Sequence, residues 1–588
     1  MRIPDACTCS PRHLLMALFR TVAWLQVSSS EYMYAAGAPA APGGATIEKD
    51  TFPVRATPPG PPLLLPMFQQ LADYPQAETI GFQHFGNRAT NVVANYNASS
   101  LCGNDPKRPS DVCTPPPLDV NDGHHTTRYL PYLLFNQYRS ERTPTYMPTI
   151  SISDSVLKVD VTPQFGGKVY AMRHLPTNAS LLHSPDIRQP VQSSRLSAQV
   201  DGGIEWNYSP GLLGHWVGTQ QDVWAARLHT SKGPMLRIYE FDRFNESYFQ
   251  VDMIVSDGTL FAHPKLFNPH KHNLTGYWWA CSGLQFTVPT ESTDCSLPNT
   301  CVNCQSSAGN RGTRVLTPAE EDVDDTLELE PWPNQQGKGG NSPNETTDMS
   351  WLSNWITGDD NFIRIAKPER PHITIVDKDI YGEAVGLAHF HTLNGTKFWS
   401  GGMGGGSQRW YDWKNAPASD ATGFTANAAN GGAPGDKGCF FEPQVGVGPT
   451  QAKGFPFPPG TLEWTHTWRT LHGLDSDTVD TLYGKDYQAA LGAVHDWVES
   501  SNGIPSALAD SMDKFFRDEA SKIHVQKKDI LHAGQPYGVL HSAMLKYRGA
   551  DVTARVPESM RFDDEDLTDG QRAGTPYSCS TVRLFELR

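Results

Sequence analysis

An antiparallel β sandwich with a short helical C-terminal appendage is the fold that this sequence predicts, and three observations predict it. Between about residues 145 and 474, apolar and polar residues alternate in many short segments, the period of half-buried strands. Glycine and proline are plentiful, 51 and 46 of 588 residues, and charged residues make up only 19%. That mix suits a chain of strands, turns and long loops better than a helical bundle. After about 475 the apolar spacing changes from two to three or four, the period of amphipathic helices.

Residues 1–35 resemble a secretory signal or a signal anchor. Arg2 and Arg12 precede the apolar run LLMALF, Arg20 and a second apolar piece TVAWLQV, and small residues follow in YMYAAGA. No later run reaches the roughly 20 apolar residues of a membrane helix. Residues 36–119 read as a linker and loop-rich segment, beginning with Ala/Pro/Gly-rich sequence at 36–64.

The sandwich is expected over 120–474. Leu157, Val159 and Val161 alternate with Lys158 and Asp160; Phe249, Val251, Met253 and Val255 do so around Gln250 and Asp252. Leu462, Trp464 and Trp468 share one face. Two loops are expected to interrupt the sheets. One, at about 288–311, carries a cysteine cluster; the other, at about 319–347, is acidic and then glycine-rich. Residues 475–588 form the appendage and an acidic tail. Tyr487, Leu491, Val494 and Val498 define one helical face, and Leu508, Met512 and Phe516 a second helix that Pro505 can begin. These helices offer a surface for a protein partner.

Composition narrows the function. A net charge of −15 repels phosphate backbones and anionic membrane surfaces, which argues against nucleic-acid binding and leaves neutral sugars compatible. Secretion is expected from the leader-like start and from the sequons at Asn97, Asn178, Asn207, Asn245, Asn273, Asn344 and Asn394. Asn207 lies in a stretch expected to be buried. Ten cysteines are present; the eight beyond the leader are enough for four disulfide bridges of open pairing. Cys281, Cys295, Cys301 and Cys304 include one Cys-x-x-Cys but no second, so a zinc site is not expected. GGMGGGSQRW lacks the Gly-Lys-Ser/Thr ending of a phosphate loop, and no cofactor is expected.

Several segments carry a resemblance when taken together. VDVTPQFGGKVYAM (Val159 to Met172) is a strand, a Gly-Gly turn and a strand. GCFFEPQ followed by PPGTLEWTHTWRT ends the sandwich region, and QVDGGIEWNYSPGLLGHW (Gln199 to Trp216) lies between. In this order they resemble the galactose-mutarotase superfamily, whose fold is an antiparallel β-supersandwich. A closer similarity is to an uncharacterised, mainly bacterial family that joins such a sandwich to tetratricopeptide-like helices. Its landmarks run from PYLLFNQYR through GYWWACSG, KFWSGGMGGGSQRWYDW and FEPQVGVGPTQ to ILHAGQPYGVLHSAM, covering roughly 120–548.

The resemblance implies action at the anomeric carbon of a sugar, as an aldose epimerase or a glycosidase. The glutamate of a Glu-x-Gln strand takes the anomeric proton, and Glu442 with Gln444 matches it. The family's histidine lies on the strand that here reads TGYWWACSG and contains none; His215 is the substitute. His389 and His391 are further options for the acid and are read as structural or surface residues. Glu205, between tight-turn glycines and a Trp/Asn pair, is a second acid, and a pair of carboxylates is the inventory of a glycoside hydrolase. Trp206, Trp278, Trp279 and Trp410 supply aromatic faces for sugar C–H groups, and Asn207, Arg409 and Gln444 supply polar groups for hydroxyls. The rival expectation is a carbohydrate-binding or scaffold protein without catalysis.

Overall fold

Twenty-six β strands are found among the described residues of the computed structural model, those being 44–56, 143–184, 187–188, 191–192, 198–199, 202–209, 219, 222–242, 247–269, 271, 273–286, 312–319, 329–336, 344–355, 360–364, 371–393, 395–399, 441–448 and 455–534. The longer strands are labelled in chain order. They begin with β1 (Thr46–Ala56), β2 (Thr143–Ser153), β3 (Leu157–Thr162), β4 (Lys168–His174), β5 (Gly203–Ser209) and β6 (Trp224–Thr230). There follow β7 (Gly233–Asp242), β8 (Ser247–Ser256), β9 (Thr259–Asn268), β10 (Leu274–Gly283), β11 (Arg314–Leu316) and β12 (Asp360–Arg364). The last are β13 (His372–Val376), β14 (Gly386–Phe390), β15 (Gly395–Trp399), β16 (Glu442–Gly446), β17 (His466–Leu471) and β18 (Ile530–His532).

They form two large sheets. One runs β12-β15-β16-β10-β5-β4-β3-β2-β1, and the other β11-β13-β14-β17-β9-β8-β7-β6-β18. Val159, Ile204, Trp206, Trp278, Val445 and Phe398 of the first sheet share one buried apolar core with Ile238, Val251, Met253, Leu260 and Trp468 of the second. The period-two alternation therefore has its expected cause, one face of each strand turned to a common core. The predicted antiparallel sandwich is the observed architecture.

The Gly-Gly turn is explained by space. Gly166 and Gly167 adopt φ +66° and +72° between β3 and β4. A Cβ on Gly167 would fall 2.0 Å from Ile238 Cδ1 of the opposing sheet. A side chain there would both strain the backbone and push the sheets apart.

Two segments differ from expectation. The stretch read as a linker contains β1, which pairs with β2 over eleven residues from Thr46↔Ser153 to Ala56↔Thr143. Burial of Ile47 and Val54 supplies a reason for order that the Ala/Pro/Gly composition around them conceals. The expected loop near 319–347 holds a two-stranded ribbon, Asn334–Gln336 with Thr346–Asp348. Leu329, Trp332 and Met349 are buried there. The cysteine loop at 288–311, the leader and the acidic tail lie outside the described residues.

The helical appendage is α2 to α4, after a short α1 (Lys378–Tyr381) within the sandwich: α2 (Ser476–Leu482), α3 (Tyr487–Glu499) and α4 (Ser506–Asp518). Asp475 caps α2 through Thr478 N and Asp486 caps α3 through Ala489 N, each supplying a carboxylate to an otherwise unpaired amide. Pro505 immediately precedes α4, and Glu499 accepts from Ser506 N and Oγ. The apolar face of α3 is buried: Ala490, Val494, Trp497 and Val498 pack with Val376, Ala388, Phe390 and Leu471 on the outer face of the second sheet. Leu508, expected on an inward face, is 38% exposed; Met512, Phe515 and Phe516 carry the packing of α4. The chain then returns to the sheet edge as β18 beside β6. No helix among the described residues is long and apolar enough to cross a membrane.

The core between the sheets also holds polar rings. His389 and His466 are buried there; Trp464 Nε1 donates to His466 Nε2 at 3.0 Å, and His466 Nδ1 lies 3.1 Å from His389 Nε2. His389 stacks on Trp468 at 4.3 Å. Burial holds both well below the usual imidazole range, and pushes the neighbouring His391 down to about 3. These rings stay neutral in the folded chain and take up protons when it unfolds, so stability is full above about pH 6.5 and falls as pH drops below it. His391→Phe is expected to remove one proton from that slope, roughly 1.4 kcal/mol per pH unit between pH 6 and 4. Urea midpoints of both proteins across that range test it; parallel curves would refute a neutral His391.

Candidate functional site

The first sheet has a second face, opposite the apolar core, and its middle is polar and buried. Strand alternation decides which residues stand there. On β5, Ile204, Trp206 and Tyr208 enter the core, so Glu205 and Asn207 face outward. On β10, Trp278 and Ala280 enter the core, leaving Trp279 and Cys281 outward. By the same parity β16 presents Glu442 and Gln444, β15 presents Lys397 and Trp399, and β4 presents Lys168 and Tyr170.

Register turns these into rows across the sheet. Glu205, Cys281, Gln444, Lys397 and Phe362 are successive cross-strand partners from β5 to β12. Lys168 continues the row on β4, one position from the Val169↔Ile204 pair. The next row contains Gly203, Gly283, Glu442 and Trp399, since Gly203 pairs Gly283, Glu442 pairs Trp399, and the Leu284↔Phe441 bridge extends the β10–β16 register. Glu205 and Glu442 thus flank β10, on β5 and β16.

Each glutamate is held by the amide two residues on. Asn207 Nδ2 donates to Glu205 Oε2 at 3.1 Å, and Gln444 Nε2 donates to Glu442 Oε2 at 2.9 Å. Strands β5 and β16 run in the same direction, both antiparallel to β10, so the two Glu-x-amide pairs repeat one another on either side of it. Glu205 also lies 4.0 Å from Lys168 Nζ. Two strand spacings and two residues separate the glutamates, which sets their Cα atoms about 12 Å apart.

Cys281 occupies the centre. It is a free, buried thiol that accepts from Asn207 Nδ2 at 3.2 Å. Burial pushes it well above the usual thiol range; the negative charges of Glu442 and Glu205 raise it further, against the opposing effects of Lys397 and the Asn207 hydrogen bond. It is a neutral S–H and a poor nucleophile. Beside it Trp279 lies over Gly446, where a Cβ would fall 2.2 Å from the indole, and meets Phe362 edge-on at 6.1 Å. Lys397 Nζ stands 5.4 Å from the Phe362 ring centroid. The exposures of Glu205, Glu442, Gln444 and Lys397 are 4, 6, 4 and 5%, so charge here acts with little solvent screening.

Of the residues expected at the site, Glu205, Asn207, Trp279, Glu442 and Gln444 come together on this face. Trp206 and Trp278 point the other way and stack on each other in the core, at 6.3 Å. Asn207 is fully buried, which places its sequon inside the sheet. His215, Arg409 and Trp410 lie outside the described residues, as do Cys295, Cys301 and Cys304. His263 is on the other sheet, stacked under Phe516 of α4 at 4.9 Å; His389 is buried on β14 of that sheet and His391 is buried just beyond the end of β14. No group of three or more metal-binding side chains is assembled among the described residues. Lys168, Cys281 and Lys397 were not anticipated as members. The signal was present in the parity of KVYAM, WACSG and TKFW, but only the order of the strands brings these three segments side by side.

The solved structures with which the chain aligns are mostly galactose mutarotase-like proteins. A galactose 1-epimerase from Lactobacillus acidophilus NCFM is 9% identical, with TM-score 0.33, over 55% of this chain and 94% of that one. A galactose mutarotase-like protein from Lactobacillus casei gives 9%, 0.32, 55% and 99%. A TPR-domain containing protein from Parabacteroides distasonis gives 14% and 0.41 over 74% of this chain, and the match spans only 56% of that protein. A search of curated proteins finds no match. A family model described as a domain of unknown function, DUF5107, matches residues 124–420, about half the chain, and the chain belongs to that family.

Proposed function

We propose that the protein acts on a carbohydrate at its anomeric carbon by acid/base chemistry, in the manner of an aldose 1-epimerase, with Glu442 as the base. The observation that carries this is the pair of amide-held glutamates on the polar face, one on each side of β10. A carboxylate fixed by Gln444 and largely screened from water suits removal of a proton from an anomeric hydroxyl. Glu205 supports the site from the other side of β10. A purely sugar-binding role has less support, because two of the tryptophans expected to stack on a sugar belong to the core.

The test is a panel of free aldoses and short glycans offered to the wild type, Glu442→Gln and Glu205→Gln. Calorimetry reads binding, and NMR exchange between anomers or product release reads turnover. Turnover lost with binding kept supports the enzyme; a wild type that binds sugars without turning any over supports the binding protein.

Export through the secretory route is part of the same reading. Its support is the leader-like start and the exposure of Asn178, Asn273 and Asn344 within their sequons, against the burial of Asn207. In a eukaryotic secretory host the protein is expected to carry glycans at the exposed sites and none at Asn207. Peptide mass spectrometry after deglycosylation checks this, and an occupied Asn207 would contradict the strand placement.

A further inference from the structure

The row across the polar face includes three buried ionisable groups that the reaction above does not use, Lys168, Cys281 and Lys397. Lys397 stands on β15 opposite Gln444, one strand over from Glu442 and two residues along, a Cα separation of about 8 Å. It is 5% exposed, its ammonium faces the Phe362 ring, and its charge is felt at Cys281 in the centre of the site. The base needs a proton donor on the other side of the anomeric centre. Cys281 holds its proton too tightly. Lys168 lies beside Glu205, on the far side of β10 from Glu442. The nearest described histidine, His183, is bonded through its backbone to Gly203 and Gly283, at the ends of β5 and β10.

We propose that Lys397 is a catalytic residue of this site, the cationic hydrogen-bond donor to the ring oxygen of the sugar. This rests on the epimerase reading. The Glu442 carboxylate takes the anomeric O–H proton, that oxygen's electrons form the carbonyl, and the bond from the anomeric carbon to the ring oxygen breaks. The ring oxygen leaves with the bond pair and takes a proton from the Lys397 ammonium. An alkoxide is a far stronger base than an amine, so an ammonium suffices. For closure the same hydroxyl returns its proton to the Lys397 amine and attacks the other face of the carbonyl. The carbonyl oxygen then recovers the proton held by Glu442. No oxidant or further reactant is needed.

The experiment uses the full chain, the sugar turned over by the wild type, and the variants Lys397→Met and Lys397→Arg. Lys397→Met is expected to lower kcat by about 10²-fold or more, by the usual worth of a positioned proton donor. Lys397→Arg keeps a positive donor and is expected to recover part of kcat. Urea midpoints and calorimetric sugar binding control for folding and for access to the site. If Lys397→Met folds, binds sugar and keeps kcat within threefold, Lys397 has no such part and the epimerase reading still stands. If the wild type turns over no sugar, the reaction itself fails and the role of Lys397 falls with it. If Lys397→Met does not fold, Lys397→Gln takes its place, and a folded, sugar-binding Lys397→Gln enzyme with kcat within threefold of wild type overturns the proposal.

Discussion

Glu442→Gln is expected to lower turnover of the sugar substrate by about 10²–10⁴-fold while the protein folds and binds sugar as before. That range corresponds to roughly 2.7–5.5 kcal/mol of barrier. The substitution keeps the shape of the side chain and an oxygen able to accept from Gln444, and removes only the ability to take a proton. It therefore separates chemistry from structure at a position that is 6% exposed and hydrogen-bonded within β16. Glu205→Gln carries a different expectation. Its carboxylate is engaged by Asn207 and lies near Lys168, so the loss should be smaller and accompanied by altered binding. A Glu442→Gln enzyme within threefold of wild type on the best sugar would remove Glu442 from the chemistry.

Arg237→Ala is expected to destabilise the fold by about 3–5 kcal/mol and to release the segment that follows α4. Arg237 on β7 and Asp252 on β8 are cross-strand partners on the outer face of the second sheet, and both are buried. The guanidinium donates to both Asp252 oxygens, at 2.7 and 2.8 Å. It also donates to the carbonyls of Ala520 and Ile523, at 2.8 and 2.7 Å. Gln250 donates to the same carboxylate at 2.9 Å. Truncating the arginine leaves a buried carboxylate without its counter-charge and two carbonyls without donors, the costly way to break such a pair. Urea unfolding reads the stability, and limited proteolysis near residue 520 reads the release. The double variant Arg237→Met, Asp252→Leu should recover most of the loss, because the buried charge is then gone. A single-variant loss under 1 kcal/mol would show that α4 and its exit turn are anchored by other contacts.

That anchor also shows what strand periodicity leaves hidden. In FQVDMIV the alternation separates Phe249, Val251, Met253 and Val255 from Gln250 and Asp252, and the apolar set does reach the core. The polar set is just as buried, because the outer face of this sheet is covered in turn, at 0% for Gln250 and 1% for Asp252. A sequence reports which residues share a face; it does not report whether that face meets water. The same limit applies to GIEWNYS. Alternation groups Glu205 with Asn207 and Trp206 with Tyr208, but it does not say which of the two pairs enters the core, and Trp206 does.

By itself, the order of residues determined the mainly antiparallel β class, the Gly-Gly entry turn and the change to helices near 475. These follow from local chemistry: period-two burial, a turn that only glycine allows without strain, and apolar residues three and four apart. Tertiary structure alone decided that Lys168, Glu205, Cys281, Gln444 and Lys397 form one line, since they come from five strands spread over some 280 residues. Strand order and register are set by the packing of both sheets on their common core, and no local pattern records which strand will lie beside which.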